Sequence, residues 1–395
     1  MNLSPEKQIL IKLLKNSISD KDVEINFKNI NFEELFKLAD KHSVNMLCYD
    51  SLKNYVDKMP ESVYTEWVYF ASRKMTLNEN ILLVHKKLTD LLEQNDINYF
   101  VFKGLAIANY YNNYQLRELG DIDFYIDYAN FKKTHFLLKD NGFKLVSTKN
   151  EKHFNYEYNG VEIEMHKDFW DMPENDCAKY LEESIKNSVD YTEKVVFNDY
   201  SFSGPNPLSN ALILVLHIIN HIQRGGIGLR QILDFAVFYS SDMFKGNIGE
   251  ILNSFKKGGV YKTAQVIARI CNKYFDAPYY DFLDDVDEVL CDLLLEDVIE
   301  SGNFGSLSED EYYGSAIITN TSQGFFERLI DFCKSSWRPC NKYKFLLPIA
   351  PFYIAIRYIC RAIVGKRPKI NPILLVKSSA NRLDLYKKLN FFEEN

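Results

Sequence analysis

Several things are scarce in this sequence, and each scarcity removes a class of protein. The apolar run Phe345–Ile356 is only 12 residues long and is broken by two prolines, well short of the ~20 residues that a membrane-spanning helix needs. The opening MNLSPEKQILIKLLKN has neither a long apolar core nor a small-residue cleavage site, so it is not expected to be a secretory signal. Seven cysteines, an odd number with only Cys333 and Cys340 close together, make neither a disulfide framework nor a zinc framework. A reducing cytoplasm is the compartment consistent with them. Internal repeats and low-complexity runs are also missing.

Positive charge is scarce over most of the chain. Residues 324–395 hold 14 Lys and Arg against 5 Asp and Glu, a balance of +9 in a chain of net charge −7, so the remainder carries about −16. An acidic body disfavours nonspecific contact with nucleic acid, whose phosphates are neutralised by Lys and Arg. What the chain has in quantity is aromatic: 26 Tyr and 28 Phe argue against long disorder. At 395 residues it can bury a sizeable core in two or three packed subregions.

The first 97 residues read as helices. Ser4-Pro5-Glu6 is a cap followed by Pro at the first helical position, with Ile9, Leu10, Leu13 and Leu14 at helical spacing. A second helix starts at Asn31, and a longer one runs from Asn78 to Gln94. The period then changes. Residues 97–102 are β-branched and aromatic and end at Lys103-Gly104; a helix is expected at 105–111, a strand at 121–126, a helix at 128–141 and a strand at 143–148. Asn159-Gly160 then joins strands 153–158 and 161–167 as a hairpin. From residue 206 onward helical spacing returns, with breaks at Gly204-Pro205, Gly225-Gly226 and Gly258-Gly259. The expected class is α+β: a small mixed sheet with helices on one side at 98–205, flanked by helical regions at 1–97 and 206–325 and a basic, apolar helical region at 326–395.

Asp121 and Asp123 are two apart on a strand, so both carboxylates share one face while Ile122 and Phe124 face the other. Along Val161-Glu162-Ile163-Glu164-Met165-His166 the same alternation places Glu162, Glu164 and His166 together. If the two strands are neighbours, Asp121, Asp123 and Glu164 converge. Three carboxylates suit Mg²⁺ (or Mn²⁺), and two such ions can hold the attacking and leaving oxygens of a phosphoryl displacement. The plainer reading of an acid-x-acid strand is a solvated face, and the segment upstream argues against it. Lys103-Gly104 lies at a strand-to-helix junction where backbone can approach a phosphate, and Arg117 adds a second cation.

Phe102-Lys103-Gly104, Arg117-x-x-Gly120-Asp121-Ile122-Asp123 and Glu164-Met165-His166 together resemble the pattern of bacterial nucleotidyltransferase-like proteins of the polymerase-β superfold. The resemblance spans Tyr99 to Lys167. It implies that Asp121 and Asp123 bind two metal ions, that Glu164 assists the ion activating the acceptor, and that Gly104, Gly120 and their loops hold a nucleoside triphosphate. Leu105 follows Gly104 here, where the wider superfamily usually has Gly-Ser or Gly-Gly. The Ser contact to the triphosphate is therefore absent, and Lys103 would take its place.

His217 and His221 share a helix face, and Arg230 and Asp234 follow on the next helix. Similar proteins carry a comparable His, Arg and Asp segment beside the sheet. These four, with His166, are candidate contacts to nucleotide or acceptor, although packed, satisfied histidines are the commoner use of such a pair. His135 and His153 read as structural. Trp170 either stacks on a base or caps the core edge. In the C-terminal region, Arg357, Arg361, Lys366, Arg367 and Lys369 interleave with apolar residues. They read as the outer face of a packed helix, with weak contact to an anionic membrane surface as the second reading.

The function expected is transfer of a nucleoside monophosphate from an NTP to an acceptor hydroxyl on a sugar, a metabolite, an RNA end or a protein. Two alternatives are a noncatalytic binding module on the same fold and a metal-dependent phosphohydrolase with Glu164 or His166 as base.

Overall fold

A computed structural model describes residues 3–19, 23–150, 153–169, 172–197, 200–224, 226–302, 384–393 and most of 330–363. It opens with α1 (Pro5–Ile18), α2 (Phe32–Lys41) and α3 (Asn45–Leu52). Ser4 caps α1 by accepting from the Lys7 amide, and Asn31 caps α2 by accepting from that of Glu34. The next helix, α4, runs from Glu61 to Glu93 and so starts well before the Asn78 expected from apolar spacing. Its first turns expose Val68, Tyr69, Met75 and Leu77, while buried Trp67 and Ala71 and half-buried Val63 and Tyr64 form an apolar stripe at helical spacing toward the core.

The sheet is built from β1 (Tyr99–Phe102), β2 (Ile122–Ile126), β3 (Lys144–Asn150), β4 (His153–Tyr158) and β5 (Val161–His166), in the order β1-β2-β5-β4-β3. Between them lie α5 (Gly104–Ala108) and α6 (Tyr128–Asp140). β2 and β5 run parallel, and the other neighbours are antiparallel. Asn159 and Gly160 both have positive φ (50° and 74°), the geometry of a two-residue turn whose twist matches the strands it joins.

The two faces of this sheet do different work. Val101, Ile122, Phe124, Ile163 and Met165 pack with Ile81, Val84 and Leu88 of α4 and with Phe131 and Leu138 of α6. On the opposite face, at the β1 end, Phe100, Phe102, Tyr125 and Phe169 join the core of the helical region. Helices thus cover one face fully and the other in part, a refinement of the one-sided layer expected. The rest of that second face carries the carboxylates.

After the sheet come α7 (Asp176–Lys186) and a separate hairpin of β6 (Glu193–Phe197) and β7 (Tyr200–Gly204). The helical series follows: α8 (Pro207–Arg224), α9 (Leu229–Tyr239), α10 (Asp242–Lys257), α11 (Tyr261–Phe275) and α12 (Glu288–Ser301). One apolar core unites α1 to α3 with α8 to α12 and with Leu385, Tyr386 and Leu389 near the C-terminus. Fully buried Leu10, Leu13 and Leu14 of α1 lie in it beside Ile267 and Cys271 of α11.

Within 330–363 the chain forms α13 (Pro339–Lys342) and α14 (Ala350–Ile363). Phe345, Ile349, Phe352 and Ile356 are exposed there, while Leu346, Leu347, Ile354 and buried Ala350 pack with Cys333 and Cys340. The basic side chains expected at 361, 366, 367 and 369 lie outside the described residues, as does Trp170. No described helix is long and apolar enough to cross a membrane.

Candidate active site

The parallel pairing of β2 with β5 sets Asp123 directly beside Glu164. Asp121 lies just ahead of β2 and on the same side as Asp123. Carboxylate oxygens of Asp121, Asp123 and Glu164 all lie within 4.8 Å of one another. Such a group forms only because alternation on two adjacent strands aims every second side chain at the same face.

Three anions so close repel, and the structure shows how the protein tolerates them. Lys103 Nζ sits 3.2 Å from both oxygens of Asp123. His166 Nε2 lies 2.8 Å from Asp123 Oδ1 and 3.3 Å from Glu164 Oε2. Burial alone would raise the Asp123 pKa, but the Lys103 charge and the His166 hydrogen bond outweigh it and hold the carboxyl well below its usual range. Asp121 has no such escort. The Asp123 charge, followed by burial and by Glu164, pushes its pKa up to about 6. The cluster is therefore short of positive charge even with Lys103 and His166 in place. All-oxygen donors around a deficit of this kind fit a hard divalent cation such as Mg²⁺.

Lys103 and Gly104 both have positive φ (57° and 33°). For Lys103 this is strained backbone, costing about 1–3 kcal/mol, of the sort that concentrates at functional sites. Gly104 passes close beneath the site: a Cβ there would meet the Asp121 carbonyl oxygen at 3.6 Å. The helix that follows is a single turn, Gly104–Ala108, rather than the helix to residue 111 expected, so any anion attraction at this junction comes mainly from the turn and Lys103. Gly120 faces open space.

Arg117 is not the phosphate-facing cation that its place before Gly120 suggested. It is buried and makes a two-pronged ion pair with Asp234 of α9, Nε to Oδ1 at 2.8 Å and Nη2 to Oδ2 at 2.7 Å. The Tyr111 hydroxyl donates to the same Oδ1 at 2.9 Å. This closed group ties the segment before β2 to the helical region. Asp234 is correspondingly engaged here rather than facing a ligand.

Other residues pin the same segment; of these the sequence singled out Arg230 alone, and for a different role. Asn78 of α4, 6% exposed, donates to the carbonyls of Gln115 and Arg117 and accepts from the Leu119 amide, at 3.0 to 3.1 Å. Lys74 pairs with the buried Glu118 carboxylate at 2.9 Å, and Arg230 Nη1 donates to the Glu118 carbonyl at 3.3 Å. The loop that delivers Asp121 is thus held from α4 on one side and α9 on the other.

His217 and His221 contact each other through their Nε2 atoms at 2.8 Å. Burial, followed by the charge of Lys103, holds His217 well below its usual range, with His221 and Arg230 adding to the effect. His153, read as structural, stands on the carboxylate face of the sheet: it pairs across β4 and β5 with His166. Asn155 Nδ2 donates to Glu164 Oε1 at 3.1 Å. A signal for both was available, because a two-residue turn at Asn159-Gly160 dictates every cross-strand partner in the hairpin. His135, by contrast, bonds to the Tyr156 hydroxyl on a different element.

A family model described as an uncharacterised nucleotidyltransferase matches residues 28–276, more than half of the chain. No curated protein matches it.

Proposed function

We propose that this chain, which belongs to the uncharacterised nucleotidyltransferase family, moves a nucleoside monophosphate from an NTP to an acceptor hydroxyl and releases pyrophosphate. The observation that carries this reading is the convergence of Asp121, Asp123 and Glu164 within 4.8 Å beside the strained Lys103-Gly104 turn. In the step proposed, a bond forms between the acceptor oxygen and the α-phosphorus while the bond from that phosphorus to the bridging oxygen breaks. The hydroxyl proton passes to the carboxylate cluster, and the bridging oxygen leaves with pyrophosphate.

Asp121, Asp123 and Glu164 would hold Mg²⁺ or Mn²⁺, which when bound supplies charge neutralisation for the phosphates and the attacking oxygen. Lys103 rests on Asp123, and its flexible ammonium would turn toward phosphate once a cation neutralises that carboxylate. The Gly104 turn lets backbone approach the triphosphate. Arg230, His217 and His221, on α8 and α9, would contact nucleotide or acceptor from the helical side. Arg117 and Asp234 act at a distance, by holding the loop that carries Asp121.

The test is incubation of the full chain with α-labelled NTPs, Mg²⁺ or Mn²⁺, and an extract supplying acceptors. Label should move to an acceptor in wild type and not in Asp121→Asn. Failure to bind any NTP in the presence of either metal, measured by calorimetry, would overturn the reading.

A further inference from the structure

The face that carries the carboxylates also carries two imidazoles, which a hard cation does not require. His153 of β4 stands directly opposite His166 of β5, and Asn155 opposite Glu164. All four side chains therefore project from one patch of sheet. The nitrogens of His153 and His166 and an oxygen of Glu164 lie within 4.8 Å of one another. We propose that His153, Glu164 and His166 form a site for a borderline transition-metal ion, Zn²⁺ in the first instance, beside the carboxylate cluster and in competition with it for Glu164.

Distances favour such an ion. Tetrahedral Zn²⁺ with bonds of about 2.0–2.1 Å sets its ligand atoms roughly 3.3–3.4 Å apart. His166 Nε2 and Glu164 Oε2 are already 3.3 Å apart, and His153 Nε2 lies 3.9 Å from Glu164 Oε1. These distances run to different oxygens of Glu164, and the three groups offer ligand atoms within 4.8 Å of one another, so side-chain rotation would close the set. Asp123 Oδ1, 2.8 Å from His166 Nε2, is placed to be a fourth ligand. Donor chemistry points the same way, because imidazole suits Zn²⁺ and its neighbours in the first transition row whereas Mg²⁺ prefers oxygen.

The surroundings are those of a ligand set rather than of a core. His153 and Glu164 side chains keep 20% and 22% of their surface exposed, so an ion can arrive from solvent. Asn155 donates to Glu164 Oε1 and to Glu162 Oε1 at 3.1 and 2.9 Å, which orients the carboxylate as outer partners of metal ligands do. Binding requires both Nε2 atoms without a proton, so the ion enters as any proton on them leaves to solvent.

Glu164 belongs to both sets. Zn²⁺ at the imidazoles therefore withdraws one carboxylate from the other site. Inhibition of transfer by Zn²⁺ follows, and that consequence rests on the transfer reading; the metal site itself does not.

The test uses the full chain stripped of metal by chelation, with Co²⁺ as a spectroscopic probe. Expected is the visible absorption of a four-coordinate Co²⁺ ion, displaced by stoichiometric Zn²⁺ and by Mg²⁺ only at far higher concentration. His153→Ala should weaken Co²⁺ binding at least ~10-fold, while Asp121→Asn, which removes a ligand of the carboxylate set only, should weaken it by less than His153→Ala does. Thermal melting of each metal-free variant checks that the fold is kept, and His153→Gln serves if His153→Ala unfolds. Equal Co²⁺ binding by wild type and the folded His153 variant would overturn the site. So would equal losses in Asp121→Asn and His153→Ala, which would place the ion among the carboxylates. Because the readout is absorption, a chain that transfers no nucleotide can still pass this test, and one that does can still fail it.

Discussion

Two ionic groups on opposite sides of one short segment, residues 117–123, are built on opposite rules. Around Asp234 the carboxylate is matched: Arg117 meets both of its oxygens and Tyr111 adds a third hydrogen bond, all of it buried. Around Asp123 the balance is left open, with three carboxylates against Lys103 and His166, and Asp121 is pushed up to about 6 as a result. A group that only joins parts of a fold has no reason to stay unbalanced, because each unmatched buried charge costs stability. An unbalanced cluster at a strained turn is the mark of a site that awaits a ligand. The closed group fixes where the open one sits.

The largest effect expected separates the two groups outright. Asp121→Asn should lower label transfer on the order of 10⁴-fold, about 5.5 kcal/mol of activation free energy, yet leave urea stability little changed or improved, since it relieves repulsion with Asp123. A large loss of stability in this variant would erase the distinction drawn here. Asp234→Ala should do the reverse. It strands the Arg117 guanidinium in the interior, at a cost of about 3–5 kcal/mol in unfolding free energy. Replacing both partners, Arg117→Met with Asp234→Leu, should recover most of that stability. If the double variant is as unstable as the single one, Arg117 and Asp234 are not the closed pair described.

A smaller effect probes the link between the groups. Asn78→Ala removes the side chain that satisfies two carbonyls and one amide of the loop before Asp121. Unfolding free energy should fall by roughly 1–3 kcal/mol, and metal affinity should fall with it while the carboxylates themselves are intact. Unchanged metal affinity would mean that the loop holds its shape without α4.

How much of this was legible beforehand divides along the same line. The hairpin and the strand alternation that bring Asp121, Asp123 and Glu164 together follow from local signals: Asn159-Gly160, and acidic residues two apart. The closed group left no local trace, because Arg117 and Asp234 are 117 residues apart and nothing near Arg117 distinguishes a cation awaiting phosphate from one already paired. Asn78 was invisible for a similar reason, as an amide inside a long helix whose three bonds all cross to another segment. The β6–β7 hairpin escaped because two short half-buried strands carry weak periodicity, whereas the first turns of α4 did offer a stripe in Val63, Trp67 and Ala71. His153 is the instructive case. Its position opposite His166 could be counted from the turn, and reading it as structural ignored that register.

Histidines on the two sides give the last and smallest contrast, one of sign. His42 is fully buried between α9 and α12 and accepts from the Leu229 amide at Nδ1, 3.2 Å away. Its Nε2 must then carry the proton that it gives to the Ile299 carbonyl, also at 3.2 Å. Protonation would put a second hydrogen against the Leu229 N–H, and burial pushes the His42 pKa down to about 3. His85 is held as low by burial. The unfolded chain binds more protons than the folded one between about 6.5 and 3, so stability is complete above pH 6.5 and falls by about 1.4 kcal/mol per pH unit per histidine below it. At the open cluster His166 runs the other way. Burial opposes its charge, but hydrogen bonds to Asp123 and Glu164 prevail and raise its pKa. Its contribution is complete below the unfolded value and is lost as pH rises through the folded one. Urea midpoints of metal-free protein between pH 5 and 8 should therefore show His42→Gln flattening the acid limb and His166→Gln flattening the alkaline one. If both variants flatten the same limb, the closed and open halves of this molecule do not differ in the way their geometry implies.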